Sequence, residues 1–400
     1  MEKTGSERHR LHLQTLEELG PKFKIVDSLL MDTVIKRGQL ARQVGDYKDL
    51  QHQPKIRRKI EEKRLKEAGA YAEENGLDPY VAQALLVIAI GESCKLQTEQ
   101  SETRAVETDV DWQNGDLQKW LGHLRENLLE LTSQIAAGYE AMYHGFNSSP
   151  ATQMYLEYEW AQIRHEIENL RTHGKVLCAL DLGCATGVLT RKLATQFPKV
   201  IGCDVSPAML KAAAEVTAQE GLAGKIEYRE VDFEKGLLGI ESESVNLAVM
   251  NLGTASDVWD IKRLLVAVKR VLAPHGRFLL TFYNQQALLY RGFIPWPLSL
   301  KARANIDKKT LEVTLGSKMY SIFAHFYTMD KVKHLLKNEG LHVSRLLTYP
   351  TVGAILPNAV LGQQLEASGP SFLDAIKHID SKMADDKLGA YILAAGSKRT

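Results

Sequence analysis

Apolar residues recur at helix-like steps near the start of the chain: Phe23, Val26, Leu29, Leu30, Ile35, Leu40 and Val44. That spacing predicts a helix. Gly20-Pro21 predicts a restart or kink within it, because proline suits a first helical turn and disturbs an interior one. A second helical stretch runs from about Lys55 to Glu74 and stops at Gly76. Asp78-Pro79 is the predicted cap and first turn of a third helix, which carries Val81, Ala84, Leu85, Ile88 and Ala89. Three such helices bury their stripes only against each other or a partner chain. Residues 98–116 are polar and acid-rich with no apolar period, as in a linker. Leu117, Trp120, Leu121, Leu124, Leu128, Leu131 and Ile135 then trace one face of a further helix, read as packing on a neighbouring domain.

Beyond residue 175 the period changes. An apolar run at Val176-Leu177-Cys178 leads through Leu182 into a glycine-bearing turn, and a helical pattern follows at Val188, Leu189, Leu193 and Ala194. Further strands are predicted at Lys199–Cys203, Ile226–Val231, Val245–Met250 and, after a turn at Pro274-His275-Gly276, Arg277–Phe282. An insertion runs from Tyr283-Asn284 to about Tyr327. It holds Tyr290, Phe293 and Trp296, then strand-like runs Thr310–Leu315 and Met319–Tyr327 around a Gly316-Ser317-Lys318 turn. A helix over Met329–Asn338 and strands at Leu341–Tyr349 and Ala390–Ser397 close the pattern. Strands alternating with helices predict an α/β domain with a mostly parallel sheet. The predicted division is 1–100 helical, 101–150 linker and helical segment, and 151–400 α/β with an insertion at about 284–327.

The chemistry concentrates at Asp181-Leu182-Gly183-Cys184-Ala185-Thr186-Gly187. Backbone N–H groups of a strand-to-helix turn can face a ligand, and glycine permits close approach. Asp204, at the end of the next apolar run, is placed to take both ribose hydroxyls of a nucleoside. The turn lacks the third glycine that a dinucleotide pyrophosphate requires.

This series resembles the class I S-adenosylmethionine (SAM)-dependent methyltransferases. The resemblance implies a Rossmann-like, seven-stranded sheet with an antiparallel last pair. It also implies SAM as cofactor, bound by Asp181, Gly183, Cys184, Ala185, Thr186 and Gly187 with Asp204, Val205 and Met209. By the same resemblance Asp232 accepts from the adenine amino group and Phe233 packs on the ring, while Asn251 and Leu252 lie over the methionine part. The insertion lies where an acceptor would be capped. Tyr143, His144, Tyr155, Tyr283 and Asn284 are candidates for orienting a small-molecule acceptor. The aromatic segment from Tyr139 to Trp160 reads equally as a flap over the cofactor or as helical core.

The front segment resembles the all-helical chorismate mutases. The resemblance rests on Asp27, Arg37-Gly38-Gln39-Leu40-Ala41, Val44-Gly45-Asp46-Tyr47-Lys48, Glu61, Gly76-Leu77-Asp78-Pro79, Glu92-Ser93-Cys94 and Gln97. It implies that Arg37 and Lys48 hold carboxylates, that Lys48 and Gln97 face the ether oxygen, that Glu61 takes the ring hydroxyl and that Ser93 assists a carboxylate. Two family arginines are replaced, by Gly20 and Ile60, and an acidic position is Arg57. A dianionic substrate needs several fixed cations, so the expected pocket is degenerate. The segment is then expected to serve homodimerisation or ligand sensing.

Composition narrows the rest. The 400 residues are 44% apolar with a net charge of +1, enough for packed cores and no reason to expect a nucleic-acid partner. No apolar run reaches the roughly eighteen residues of a membrane span. The basic stretch Arg57, Arg58, Lys59, Lys63, Arg64 is interrupted by Glu61 and Glu62, as on a solvated helix face. Cys94, Cys178, Cys184 and Cys203 lack metal-ligand spacing, so no metal is expected and a reducing cytoplasm fits. Two other readings of the cofactor site are a carboxy-SAM synthase-like enzyme using prephenate and a non-catalytic sensor of SAM and an aromatic acid.

Overall fold

The computed structural model describes residues 5–50, 58–77, 82, 85–86, 89, 114–140, 150–172, 174, 176–291, 294–295, 301–355, 370–384 and 387–398. The chain divides into two units, Met1–Thr108 and Asp109–Thr400. No helix among the described residues is long and apolar enough to cross a membrane.

The first unit contains α1 (Gly5–Leu50) and α2 (Arg58–Glu74). The expected restart at Gly20-Pro21 does not occur: α1 passes through Pro21 as one helix. An interior proline costs about 3 kcal/mol, which long helical runs on both sides can absorb because each added turn propagates cheaply. Ala82, Leu85, Leu86 and Ala89 are helical where the third helix was expected; its Asp78-Pro79 cap lies outside the described residues. Phe23, Val26, Leu29, Ile35 and Leu40 on α1 are all exposed.

The second unit opens with α3 (Asn114–Tyr139) and α4 (Pro150–Arg171). There follow β1 (Cys178–Leu182), α5 (Val188–Leu193), β2 (Lys199–Asp204), α6 (Pro207–Gln219), β3 (Ile226–Glu230) and β4 (Val245–Met250). Next come α7 (Ile261–Val271) and β5 (Leu272–Asn284). The insertion adds β6 (Ile294–Pro295), β7 (Lys301–Asn305), β8 (Thr310–Leu315), β9 (Lys318–Phe323) and β10 (Phe326–Tyr327). The unit ends with α8 (Met329–Asn338), β11 (Leu341–Tyr349), α9 (Val352–Ile355), α10 (Pro370–Lys382) and β12 (Tyr391–Lys398).

The main sheet runs β11-β12-β5-β4-β1-β2-β3, with β10 pairing the end of β5. Strands β1 to β5 are parallel to their neighbours among themselves, and β12 is antiparallel to both β5 and β11. Alternation along each strand sends its side chains to two helical layers. Leu180, Leu182, Phe278, Leu280 and Phe282 pack with Leu264, Val268 and Leu336 of α7 and α8. Ala179, Leu247, Val249 and Leu279 face the other way, onto Ile163 and Ile167 of α4 and Leu193 of α5.

Pro274-His275-Gly276 is a bulge within β5 rather than a turn before it. Pairing with β4 jumps from Val245↔Leu272 to Leu247↔Arg277, and His275 takes φ 61°. The insertion forms a second, antiparallel sheet in the order β6-β7-β8-β9. Helix α3 lies on it, with Leu131 buried against Leu311, Val313, Tyr320 and Ile322. Asn127 Nδ2 donates to the Ser321 carbonyl (3.0 Å), and Thr132 Oγ1 donates to Ser206 Oγ (2.9 Å) at the cap of α6. These links hold α3 across the carboxyl ends of the parallel strands.

Candidate functional site

In this topology the chain switches direction beside β1, whose neighbours are β2 and β4. Ligands of open α/β sheets bind outside the strand ends at such a point. Gly183 there takes φ +76°, and both Gly183 N–H and Cys184 N–H donate to the Cys203 carbonyl (2.7 and 2.9 Å). Ala185, also at positive φ, donates its N–H to Asp204 Oδ2 (2.9 Å), and Ser206 N–H donates to Oδ1 (2.9 Å). Asp204 thus ties the turn after β1 to the start of α6. Each carboxylate oxygen retains a lone pair for a further donor. Burial raises the Asp204 pKa, opposed by the N–H groups of Ser206, Ala185 and Val205.

Asp181 is fully buried. Its Oδ2 accepts from Thr190 Oγ1 (2.6 Å), while Oδ1 has no partner. Burial pushes its pKa up to about 7. The Thr186 hydroxyl beside it is also buried without a partner. On the far side, Asp232 accepts from Glu234 N–H (3.2 Å) and pairs with Arg125 of α3 (2.7 Å). Burial acts to raise the Asp232 pKa, but Arg125 outweighs it and holds the group below the usual range.

After β4, Gly253 N–H donates to Thr281 Oγ1 (2.7 Å), which fixes the turn carrying Asn251 and Leu252. A 3₁₀ turn, Ala255–Asp257, then presents Asp257. Ser256 holds this turn by accepting from Tyr283 N–H at Oγ and from His325 N–H at its carbonyl, both at 2.8 Å. Asp257 Oδ1 is buried without a partner. Burial pushes the Asp257 pKa up to about 8, against a hydrogen bond with Tyr283.

One cavity of about 1460 Å³ joins these groups. Its wall includes Asp181, Gly183, Cys184, Ala185, Thr186, Asp204, Val205, Met209, Asp232, Phe233, Asn251 and Leu252, together with Tyr155 and Tyr283. Two predicted residues stand apart. The space beside Gly187, where a side chain would project, is filled by the Tyr228 hydroxyl, so this glycine serves packing and the start of α5. Asn284 is fully buried, and its amide donates to the carbonyls of Lys387 (2.9 Å) and Gly389 (2.7 Å); an acceptor has no access to it. Tyr143, His144, Ser93 and Gln97 lie outside the described residues, as do the side chains of Lys48 and Glu61. Arg37, in the other unit, donates from Nε to the Ala89 carbonyl (3.2 Å).

Sequence reasoning missed Glu159 and Asp257. Glu159 sits on amphipathic α4 and reads as a solvated acid, yet it is buried and lines the cavity. Asp257 lies beyond the strand end, in a turn without a pattern of its own. No group of His, Cys, Asp and Glu suited to a metal ion occurs among the described residues.

The profile of the methyltransferase domain family matches residues 179–276, and that of chorismate mutase type II matches residues 22–98. Two segments of the chain thus match family models, a methyltransferase domain lying behind a chorismate mutase type II segment in the sequence. A probable S-adenosylmethionine-dependent methyltransferase of Saccharomyces cerevisiae is 34% identical over 106 residues, covering 26% of this chain and 35% of that protein. The ubiquinone/menaquinone biosynthesis C-methyltransferase of Ectopseudomonas mendocina is 26% identical over 163 residues, covering 40% and 59%. The chain therefore spans 35% to 59% of the length of these curated relatives. A crystal structure of a methyltransferase from Clostridium acetobutylicum aligns with TM-score 0.43 at 15% identity, covering 62% of this chain and 92% of that one.

S-adenosylmethionine is the donor named for the Saccharomyces cerevisiae relative. The cavity's donor set suits it. The spare lone pairs of Asp204 match a ribose diol, and the unpartnered Asp181 Oδ1 suits a positively charged methionine end. Gly183 is required by its left-handed φ and because an added Cβ would meet Thr254 Cγ2 at 2.5 Å.

Proposed function

We propose that the protein transfers a methyl group from S-adenosylmethionine to a small, uncharged acceptor. The carrying observation is that one cavity joins the Asp181–Asp204 corner to an apolar chamber under α3 and the second sheet. When bound, the cofactor supplies a methyl carbon made electrophilic by its sulfonium. Asp204 would take the ribose hydroxyls, Asp232 and Phe233 would frame the adenine, and Asn251 and Leu252 would flank the methionine part. Leu128, Leu131, Ile135, Leu311, Ile322 and Phe323 offer the acceptor an apolar wall. Alignment of acceptor and methyl carbon supplies much of such a rate. Asp257 is the group placed to accept a proton where the acceptor must lose one.

The cavity's cations favour an uncharged acceptor. Among the described residues Arg125 and Lys235 face Asp232, Arg191 faces Glu140 and Glu220, Arg263 faces Asp260, and Lys192 lies over the Trp160 ring. Each is engaged before a carboxylated acceptor arrives, so carboxyl transfer from prephenate gains no support. The mutase-like segment, on our reading, serves homodimerisation rather than catalysis, since α1 exposes an apolar stripe. Incubation with methyl-labelled cofactor and a panel of phenols, amines and thiols tests the transfer. Label should pass to at least one uncharged acceptor and to none with Asp204→Ala. Tight cofactor binding with no transfer to any acceptor would support a sensor instead.

A further inference from the structure

Glu159 is 2% exposed and its carboxyl forms part of the cavity wall; on the same helix Glu157 and Glu168 reach solvent, and the other buried acid, Glu166, is paired with Arg277. The groups around it come from five elements. Tyr155 on α4 donates its hydroxyl to Oε1 (3.1 Å), and its ring centroid stands 4.7 Å from that of Tyr391 on β12. The Asn251 side chain and the Leu252 backbone, just past β4, act to favour the Glu159 carboxylate. Asp181 at the end of β1 repels it. Lys192, beside α5's end, is a nearby cation, but its ammonium is held 4.6 Å above the Trp160 ring. Among the described residues neither Glu159 nor Asp181 has an ion-pair partner, and Asp181 Oδ1 has no hydrogen bond at all. Two buried carboxylates turned to one corner without a cation are costly as anions. Burial first, and then Asp181, push the Glu159 pKa up to about 8. A ligand bringing a positive charge to that corner would relieve both.

We propose that Glu159, with Asp181, forms a receptor for the α-ammonium of the cofactor's methionine end, and that seating this ammonium expels a proton from the pair. The proposal rests on the S-adenosylmethionine reading above. The sign follows from linkage. Ligand-free Glu159 holds its proton at pH 7, and a neighbouring ammonium favours the carboxylate. Binding therefore releases up to about one proton per site, and affinity rises as pH is raised from 6 to 7.5.

Calorimetric titration of the intact protein with S-adenosylhomocysteine at pH 7, in phosphate and in Tris, reads the release directly. Methylthioadenosine, which keeps the nucleoside and thioether but lacks the ammonium, is the control. The wild type should show buffer-dependent heat with S-adenosylhomocysteine and buffer-independent heat with methylthioadenosine. Glu159→Gln should abolish the buffer dependence and weaken S-adenosylhomocysteine by about tenfold to a hundredfold, the scale of one charge-assisted hydrogen bond. It should leave methylthioadenosine affinity within about twofold, since that ligand lacks the ammonium. Buffer-independent heat for S-adenosylhomocysteine in the wild type overturns the proposal, whether or not the variant folds. Absence of binding by both nucleosides overturns the cofactor reading itself, and this proposal with it.

Discussion

Helices α1 and α7 treat their apolar residues in opposite ways. On α7, Ile261, Leu264, Leu265, Val268 and Val271 are all buried against the main sheet. On α1, Phe23, Val26, Leu29 and Leu40 stay 60% exposed or more. Covering one such side chain is worth about 1.5–3 kcal/mol. The α/β unit thus uses its apolar surface within one chain, whereas the helical unit keeps a stripe in reserve. On the reading proposed above, cofactor chemistry and assembly are then separable, and each should respond to its own substitutions.

The sharpest separation should come from Asp204→Ala. Loss of two charge-assisted hydrogen bonds should lower cofactor affinity about 10²–10⁴-fold by calorimetry, with an unchanged sedimentation coefficient. Asp257→Asn should lower turnover of any acceptor that gives up a proton about 10²–10³-fold, with cofactor affinity within about twofold. The wild-type rate on that acceptor should rise with pH and level off above about 8, because the base must be ionised and burial holds its pKa there. A flat profile would remove Asp257 from proton transfer.

Charge placed on the reserved stripe addresses the other half. Leu29→Glu should weaken a dimer about tenfold to a hundredfold in sedimentation equilibrium and leave cofactor binding alone. A wild-type chain that sediments as a monomer at micromolar concentration would break the comparison from that side. The smallest effect is expected at the bond from α3 to the α6 cap. Thr132→Val, which removes the hydroxyl donated to Ser206, should cost about 0.5–1.5 kcal/mol in urea unfolding.

The sheet was readable because its strands are buried on both faces and run apolar almost without interruption, as Val245–Met250 does. The turn and Asp204 were readable because glycine and acid fall where the period changes from strand to helix. Four features left no such trace. Strand Lys301–Asn305 is polar, and it pairs with β8 through its backbone. Glu159 carries the residue type of a solvated helix face, and only tertiary packing buries it. Gly187 looked like room for a ligand, but the space is taken by Tyr228, which arrives from a strand distant in sequence. Bulge formation at Pro274-His275-Gly276 likewise depends on pairing with β4, which local turn chemistry does not reveal.

The most direct test is titration of intact, folded protein with S-adenosylmethionine and with its demethylated product. Saturable one-site binding of both, lost in Asp204→Ala, is the predicted result. Absence of heat with either ligand, from material shown to be folded, would contradict a nucleoside site at the ends of these strands.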